Sequence, residues 1–462
     1  MSFLDSIDAA LAAFAGFMWG TPLLVLLVGG GLYLLIYSRA RPYRHLGHSI
    51  DLLRGRYDDP DDPGQVPHRQ ALSTALSGTL GLGNVAGVAI AISTGGPGAI
   101  FWMWITALVG VATKFYTATL SVMFRGRDSA GELQGGPMYV IREGLGRKWM
   151  PLAVLFAIAG LCGLLPVFQA NQAVQLLRES FAVPLGWVGS SDSLLFDGAM
   201  GIALALATGA VIAGRIQRIG RFTLGIVTAM VLFYLSLTLI VIVAHWQEVP
   251  AAFALIFRDA FSGEAVAGGA LGGMIAIGIS RGAFSNEAGI GTESLAHGAA
   301  KTREPVREGV VAMLGPIIDT LVVCTCTALV ILLTGAWHEA EGIEGVTLTA
   351  NAFSEVFGHA GPLLLLLMVL PLAFSTIVTF WYYGAKCFVF LFGARWQWIF
   401  TMVYVAQIVI GAVAALGPIN NLVIGMYAVM AVPTMISTLL LAGHVNRAAH
   451  TYFTTPQRRT DV

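Results

Sequence analysis

Charge is what this 462-residue chain has least of: 11% of its residues are Asp, Glu, Lys or Arg, against about 25% in an ordinary soluble domain. Hydrophobic residues make up 56%. So few charges cannot give so apolar a chain a water-facing surface. The 26 basic residues balance the 26 acidic ones, so no net field draws the chain to nucleic acid. Cysteine is scarce too. Cys162, Cys324, Cys326 and Cys387 lie in apolar surroundings with no histidine cluster beside them, which reads as small buried hydrophobes rather than metal ligands or a redox pair. A metal-binding histidine run, a phosphate loop and a nucleophile constellation are all missing, and nothing else marks an enzyme. Gly81-Leu-Gly83 imitates a dinucleotide fingerprint, but it follows no strand and lies inside an apolar run. The N-terminus carries Asp5 and Asp8 where a cleavable signal wants positive charge, so no signal peptide is expected.

Apolar runs and glycine, by contrast, are abundant. There are 55 glycines, which in a membrane protein mark close helix packing and helix breaks. About twenty apolar residues cross a bilayer core. Eleven such runs are expected, at roughly 17–38, 72–94, 98–124, 149–177, 194–213, 222–244, 269–295, 308–334, 361–384, 396–417 and 420–443. The fold class is therefore an all-α integral membrane protein with a single transmembrane domain over 1–462.

Basic residues concentrate in cytoplasmic loops. With the N-terminus outside and the C-terminus in the cytoplasm, 22 of the 26 basic residues face inward. They fall in the 39–69 and 125–148 loops, at Arg215 to Arg221, at Lys301 to Arg307, at Lys386 and Arg395, and in a tail with Arg447, Arg458 and Arg459. Arg178 and Arg258 fall outside, and Lys114 and Arg281 lie within spans.

Two spans contain sequences that no continuous helix favours. The second holds Ser77-Gly-Thr79-Leu80-Gly81-Leu82-Gly83-Asn84, and the seventh holds Phe284-Ser285-Asn286-Glu287-Ala-Gly289-Ile-Gly291. Glycine weakens a helix interior, and irregular backbone at membrane depth survives only inside protein or beside a cavity. Asn84-Val-Ala-Gly87 and Asn286-Glu-Ala-Gly289 agree at three of four positions, 202 residues apart. The 17–38 helix is then an addition to two five-helix repeats, 72–244 and 269–443. An odd repeat unit inverts the second half, the plan of carriers whose discontinuous helices meet at the midplane.

A broken helix offers unpaired N–H groups to a carboxylate and unpaired carbonyls to a cation. An amino-acid zwitterion beside a small cation fits such a pair of breaks. Thr79, Asn84, Ser285 and Asn286 are the nearest oxygen donors for the cation. Gln169 and Asn171 are expected to face a cavity and Gln172 to pack between helices. Ser375 and Thr376 are candidate cation ligands, with Phe380, Trp381, Tyr382 and Tyr383 walling off a small substrate. Lys114, Arg281, Glu287 and Asp319 are deep charges that need partners or water; Glu287, beside the second break, suits gating or coupling. His297 is expected at the membrane interface.

Together these stretches resemble the alanine/glycine:cation symporters. The matching motifs are Gly83-Asn84-Val-Ala-Gly87, Gly95-Gly-Pro-Gly-Ala99, Phe101-Trp-Met-Trp104, Ala112-Thr-Lys-Phe115, Gly135-Gly-Pro-Met-Tyr139, Gln169-Ala-Asn171, Phe284 to Gly289, Asp319 to Cys324 and Ala373-Phe-Ser-Thr376. The resemblance implies eleven helices, ten of them in the inverted-repeat fold of the neurotransmitter:sodium symporters. It implies a carrier in a bacterial plasma (inner) membrane that takes up alanine or glycine with Na+ and has no organic cofactor. By this resemblance the amides near Leu82 and Gly83 take the substrate carboxylate, and Asn84 and Ser285 serve a nearby sodium. Carbonyls around Ser77 and Leu80 form another sodium site with Ser375 and Thr376. Thr79, Gln169, Phe284, Thr376, Phe380 and Trp381 line the substrate pocket.

The chain departs from the family pattern around that pocket. Leu82 stands where a threonine is expected, Leu165-Pro166 replaces a glycine-asparagine pair, and Phe380 takes a tryptophan's place with Trp381 one residue on. Sodium coupling is expected to be kept; substrate preference is where a difference is expected. A proton-coupled carrier, an amino-acid carrier of altered specificity and a receptor that binds without transporting are the alternative readings. The partners implied are a small neutral amino acid, sodium and the bilayer. Nothing in the chain sets an oligomeric state.

Overall fold

The computed structural model describes residues 3–189, 193–261, 270–339, 345–414 and 417–455. The tail residues Arg458 and Arg459 lie outside the described residues. Nearly all of what is described is helical; the exception of note is a two-stranded antiparallel ribbon in the loop after Met123, pairing Gly126–Arg127 with Leu133–Gln134.

Among the described residues nine helices are long and apolar enough to cross a membrane, and a bent pair makes a tenth. The bent pair is His68–Thr79 with Gly83–Gly95, which meet at 41°. Large apolar side chains point outward from these helices: Leu195 is 87% exposed and Phe17 is 80% exposed. Such a surface is stable only against lipid. The chain is a multi-pass membrane protein.

Several spans outrun their hydrophobic cores. The first begins by Ser6 and runs to Tyr37, well ahead of the expected start at 17. The helix Gly361–Phe392 continues past 384, and Gly417–Thr454 continues past 443. Gly361–Phe392 stops at Gly393, whose φ of +86 ends the helix. The seventh expected span is built differently. Ala270–Asn286 is a helix of 17 residues, followed by an irregular turn and the short helix Thr292–His297.

Glycine decides how closely the broken helices are held. Ala270–Asn286 packs along Ala99–Met123, and a Cβ on Gly278 would lie 2.5 Å from the Ala99 carbonyl oxygen. Only a bare backbone allows that approach. At the second break Gly291 has φ +94, and a Cβ there would lie 2.4 Å from the Thr434 hydroxyl. Two short helices, Val249–Ala260 and Val346–Phe357, lie outside the expected spans. The second carries Val346, Thr347 and Ala350 to the mouth of the cavity described next.

Candidate functional site

Both sequence breaks are real, and they face each other. In the first, helix His68–Thr79 ends at Leu80, Gly81 is extended, and a new helix starts at Leu82. The Asn84 side chain turns back to cap that start, its Oδ1 accepting from the Gly81 N–H at 3.2 Å. In the second break Glu287 itself is left-handed, with φ +56. A non-glycine residue there is strained. The strain is held by the Glu287 N–H on Ala283 O and by the Asn286 Oδ1 accepting from the Ala288 N–H at 3.0 Å.

A buried polar cluster joins the two breaks. Asn84 Nδ2 donates to Ser285 Oγ at 3.2 Å and to Asp319 Oδ1 at 2.6 Å. Ser285 and Thr320 hydroxyls donate to Asp319 Oδ2 at 2.7 and 2.8 Å. Asn286 Nδ2 reaches the Thr320 hydroxyl at 3.3 Å. Asn84, Ser285, Asn286, Asp319 and Thr320 are all buried. Asp319 and Thr320 sit on Ile317–Cys324, a π-helical stretch; such wide turns recur at functional sites because they redirect side chains. The carboxylate and two hydroxyls, with no basic side chain paired to them among the described residues, are oxygen donors suited to a hard cation; the two amides turn their N–H groups to the cluster and their oxygens to the backbone.

A second oxygen cluster lies one turn before the first break. Thr376 Oγ1 is 2.9 Å from Ser77 O and 3.0 Å from Leu372 O. Thr379 donates to the Ser77 hydroxyl at 3.0 Å, and Ser375 to Leu372 O at 2.9 Å. A Cβ on Gly81 would come within 3.2 Å of Thr376 Oγ1, so this cluster touches the break itself. Of the four residues that the resemblance grouped, Ser77 and Thr376 meet through a hydrogen bond, while Ser375 bonds within its own helix.

A cavity of about 590 Å³ runs down to the breaks. Thr79, Gly81, Gly83, Phe284, Glu287, Phe380 and Tyr427 line its deep end. Phe284 and Phe380 both lie tilted against Tyr427, with centroids 5.5 and 6.3 Å from it. The mouth is formed by Gln175, Glu179, Ser180, Thr347 and Asn420. Of Leu82 the backbone opens the helix beside the cavity, and its side chain lies outside the described residues.

Four expectations need correction. Gln172, not Asn171, joins Gln169 in the cavity wall; Asn171 instead donates to Gly411 O and Ala414 O at 3.0 Å each. Residues three apart share a helix face, and that spacing already separated Asn171 from the other two. Trp381 turns away and donates to Thr401 Oγ1 at 3.3 Å, leaving Phe380 as the ring of that run in the cavity. Tyr382 stacks under the Lys386 ammonium, and Tyr383 lies against Gly78. His297, expected at the membrane interface, is enclosed by protein there instead of facing headgroups or water, with Nδ1 2.5 Å from Glu308 Oε1. Asp319 and Tyr427 went unassigned by the sequence reading. An acid in an apolar span was a signal for the first; a tyrosine 140 residues from Glu287 gave none.

At the other end of the breaks the chain is sealed. Glu308 accepts from His68 on one side and His297 on the other, which pins the far ends of both broken helices to one carboxylate. The Arg125 side chain donates to the carbonyls of Pro63, Gly298, Ala300 and Thr302. Val66 and Ala300 pair as a single parallel bridge. Burial pulls the Arg125 guanidinium down from its usual range to about 10, still high enough to stay charged at neutral pH. One side of the breaks is thus open through the cavity and the other is closed.

A family model described as the sodium:alanine symporter family matches residues 4–461. The chain belongs to that family. An uncharacterized transporter of Haemophilus influenzae is 37% identical over 97% of this chain and 96% of its own. The sodium/alanine symporter AgcS of Methanococcus maripaludis is 37% identical over 93% of each. In structure, the chain shares its fold with MhsT crystallised with L-phenylalanine, at TM-score 0.55 and 12% identity over 83% of this chain and 97% of that one. Membership makes this chain a secondary active, sodium-coupled amino-acid symporter working by alternating access, and not an enzyme. Its ligands are an amino acid and Na+ and its surroundings are the bilayer.

Proposed function

We propose that this symporter imports a small neutral amino acid, alanine or glycine first, across a bacterial inner membrane. The observation that carries this is the joining of the two breaks: Asn84 on the first binds Ser285 on the second and Asp319 beside both. In this reading sodium sits among Asn84, Ser285 and Asp319. A second sodium sits among Ser77 O, Leu80 O, Ser375 and Thr376. The substrate carboxylate lies at the free N–H groups of Leu82 and Gly83, where the helix end favours an anion. Thr79, Gln169, Phe284 and Phe380 surround the rest; Trp381 and Thr376 act from behind the wall.

The architecture we infer is eleven membrane crossings. The 17–38 helix precedes five-helix repeats at 72–244 and 269–443, the second inverted. The seventh crossing is Ala270–Asn286 with Thr292–His297. The N-terminus is outside and the C-terminus in the cytoplasm. The cavity mouth lies among loops poor in basic residues, and the Arg125 seal lies among loops rich in them, as an outward-open carrier would have it.

The test is uptake of radiolabelled alanine, glycine and a larger neutral amino acid into proteoliposomes, with sodium outside or replaced by choline. Saturable, sodium-stimulated uptake of the small substrates is the expected result. No sodium stimulation for any amino acid on a broad panel would overturn the proposal.

A further inference from the structure

Glu287 differs from the other buried acids. It is 2% exposed, yet it lines the deep end of the cavity. Tyr427 donates to its Oε1 and Thr292 to its Oε2. These two hydroxyls occupy two of the roughly four lone-pair directions of a carboxylate. Hydroxyls hold its carboxylate; Lys114 acts on it from a distance, and Arg281 lines the same cavity. A buried carboxylate facing a cavity in this way is costly until a cation arrives.

Gln169 lines the same cavity, but its Oε1 is tucked behind the wall, buried without a hydrogen-bond partner. Across the cavity stands the N-terminal turn that starts at Leu82; a Cβ on Gly83 would lie 3.7 Å from the Phe284 ring. The cavity thus has a helix start with its N–H groups on one wall and an acid on the other. A zwitterion has the complementary pattern.

We propose that Glu287, held by Tyr427 and Thr292, binds the α-ammonium of the transported amino acid. This rests on the amino-acid reading above and narrows its substrate class. The ligand needs a free, protonated amine next to its carboxylate. A hydroxy acid of the same shape places a neutral group at Glu287, and an N-acylated amino acid places a bulky uncharged one there. Neither neutralises the carboxylate. The strain at Glu287 has a use in this arrangement: the left-handed turn aims an acid into the cavity at the helix break, where a helical residue would point elsewhere.

The experiment uses the full-length protein in proteoliposomes, with sodium-driven alanine uptake and sodium binding measured separately without amino acid. Charge-assisted hydrogen bonds are about twice as strong as neutral ones. Glu287→Gln should therefore raise the KM for alanine by about tenfold or more, and Tyr427→Phe by several-fold. Sodium binding without amino acid should stay within about twofold of wild type. Unlabelled alanine should compete in the wild type, and lactate and N-acetylalanine should not. KM values within about twofold of wild type for both variants would overturn the proposal. So would a matching loss of sodium binding in Glu287→Gln, which would place the carboxylate on the ion. If Glu287→Gln does not insert, Tyr427→Phe decides alone. A wild type that takes up no amino acid with sodium would instead sink the underlying reading, and the ammonium site with it.

Discussion

Asn84 and Asp319 are 235 residues apart in sequence and 2.6 Å apart in space. That bond ties the first broken helix to the π-helical turn behind the second. Asp319 also receives Ser285 and Thr320, so its two oxygens organise three polar groups. Removing its charge should disturb the ion before it disturbs the amino acid. Asp319→Asn should raise the sodium concentration for half-maximal uptake by about tenfold or more. A sodium titration of alanine uptake measures this. An unchanged titration would remove Asp319 from the ion's surroundings.

Thr376 makes a separate test of the second oxygen cluster. Thr376→Val deletes the hydroxyl that meets Ser77 O and Leu372 O. Sodium dependence should weaken several-fold while the KM for alanine at saturating sodium stays near wild type. A change in KM alone would assign Thr376 to the substrate instead.

Glu308 holds His68 and His297 together, and opening the sealed side must part them. Glu308→Ala leaves two buried imidazoles without their acceptor, at about 1–3 kcal/mol each. The balance should move toward the state open on that side. A cysteine introduced at the buried Thr302 should then react faster with a water-soluble maleimide. Equal labelling rates would mean the carboxylate only fills space.

Arg125 reaches four backbone carbonyls with one planar fork. Lysine is a single point charge and cannot reproduce that. Arg125→Lys should speed the same labelling reaction. Burial lowers the Arg125 value only to about 10. A lowered base keeps its charge below its folded value and loses it above. Labelling of Thr302→Cys in the Arg125 background, normalised to a free thiol whose own reactivity rises with pH, should therefore be flat from about pH 6 to 9.

Asn171 should behave as structure rather than site. Asn171→Leu strands the carbonyls of Gly411 and Ala414, at about 1–3 kcal/mol. Thermal unfolding should shift downward while KM is unchanged. Gln169→Leu, two residues away, should do the reverse.

The sequence by itself determined that the chain lives in a membrane, where its helices break and which residue types meet at the breaks. Apolar length, basic-loop bias and glycine are local properties, and they act on the backbone wherever it goes. Ser375 and Thr376 stood out as hydroxyls beside a run of rings in an apolar helix, whereas the pairing of Thr376 with Ser77 came only from the family resemblance. Which face of each helix turns to the cavity was not. Successive helical side chains point about 100° apart, so Phe380 and Trp381 face different neighbours, and only the packing of Gln397–Val413 and Gly417–Thr454 decides which ring meets the cavity. The same holds for Asp319, Tyr427 and His297. Each gains its role from a partner brought to it by the fold: Asn84, Glu287 and Glu308. The paired breaks had pointed to a carrier; tertiary structure decided that an acid faces the cavity at one break and a capped helix start faces it at the other.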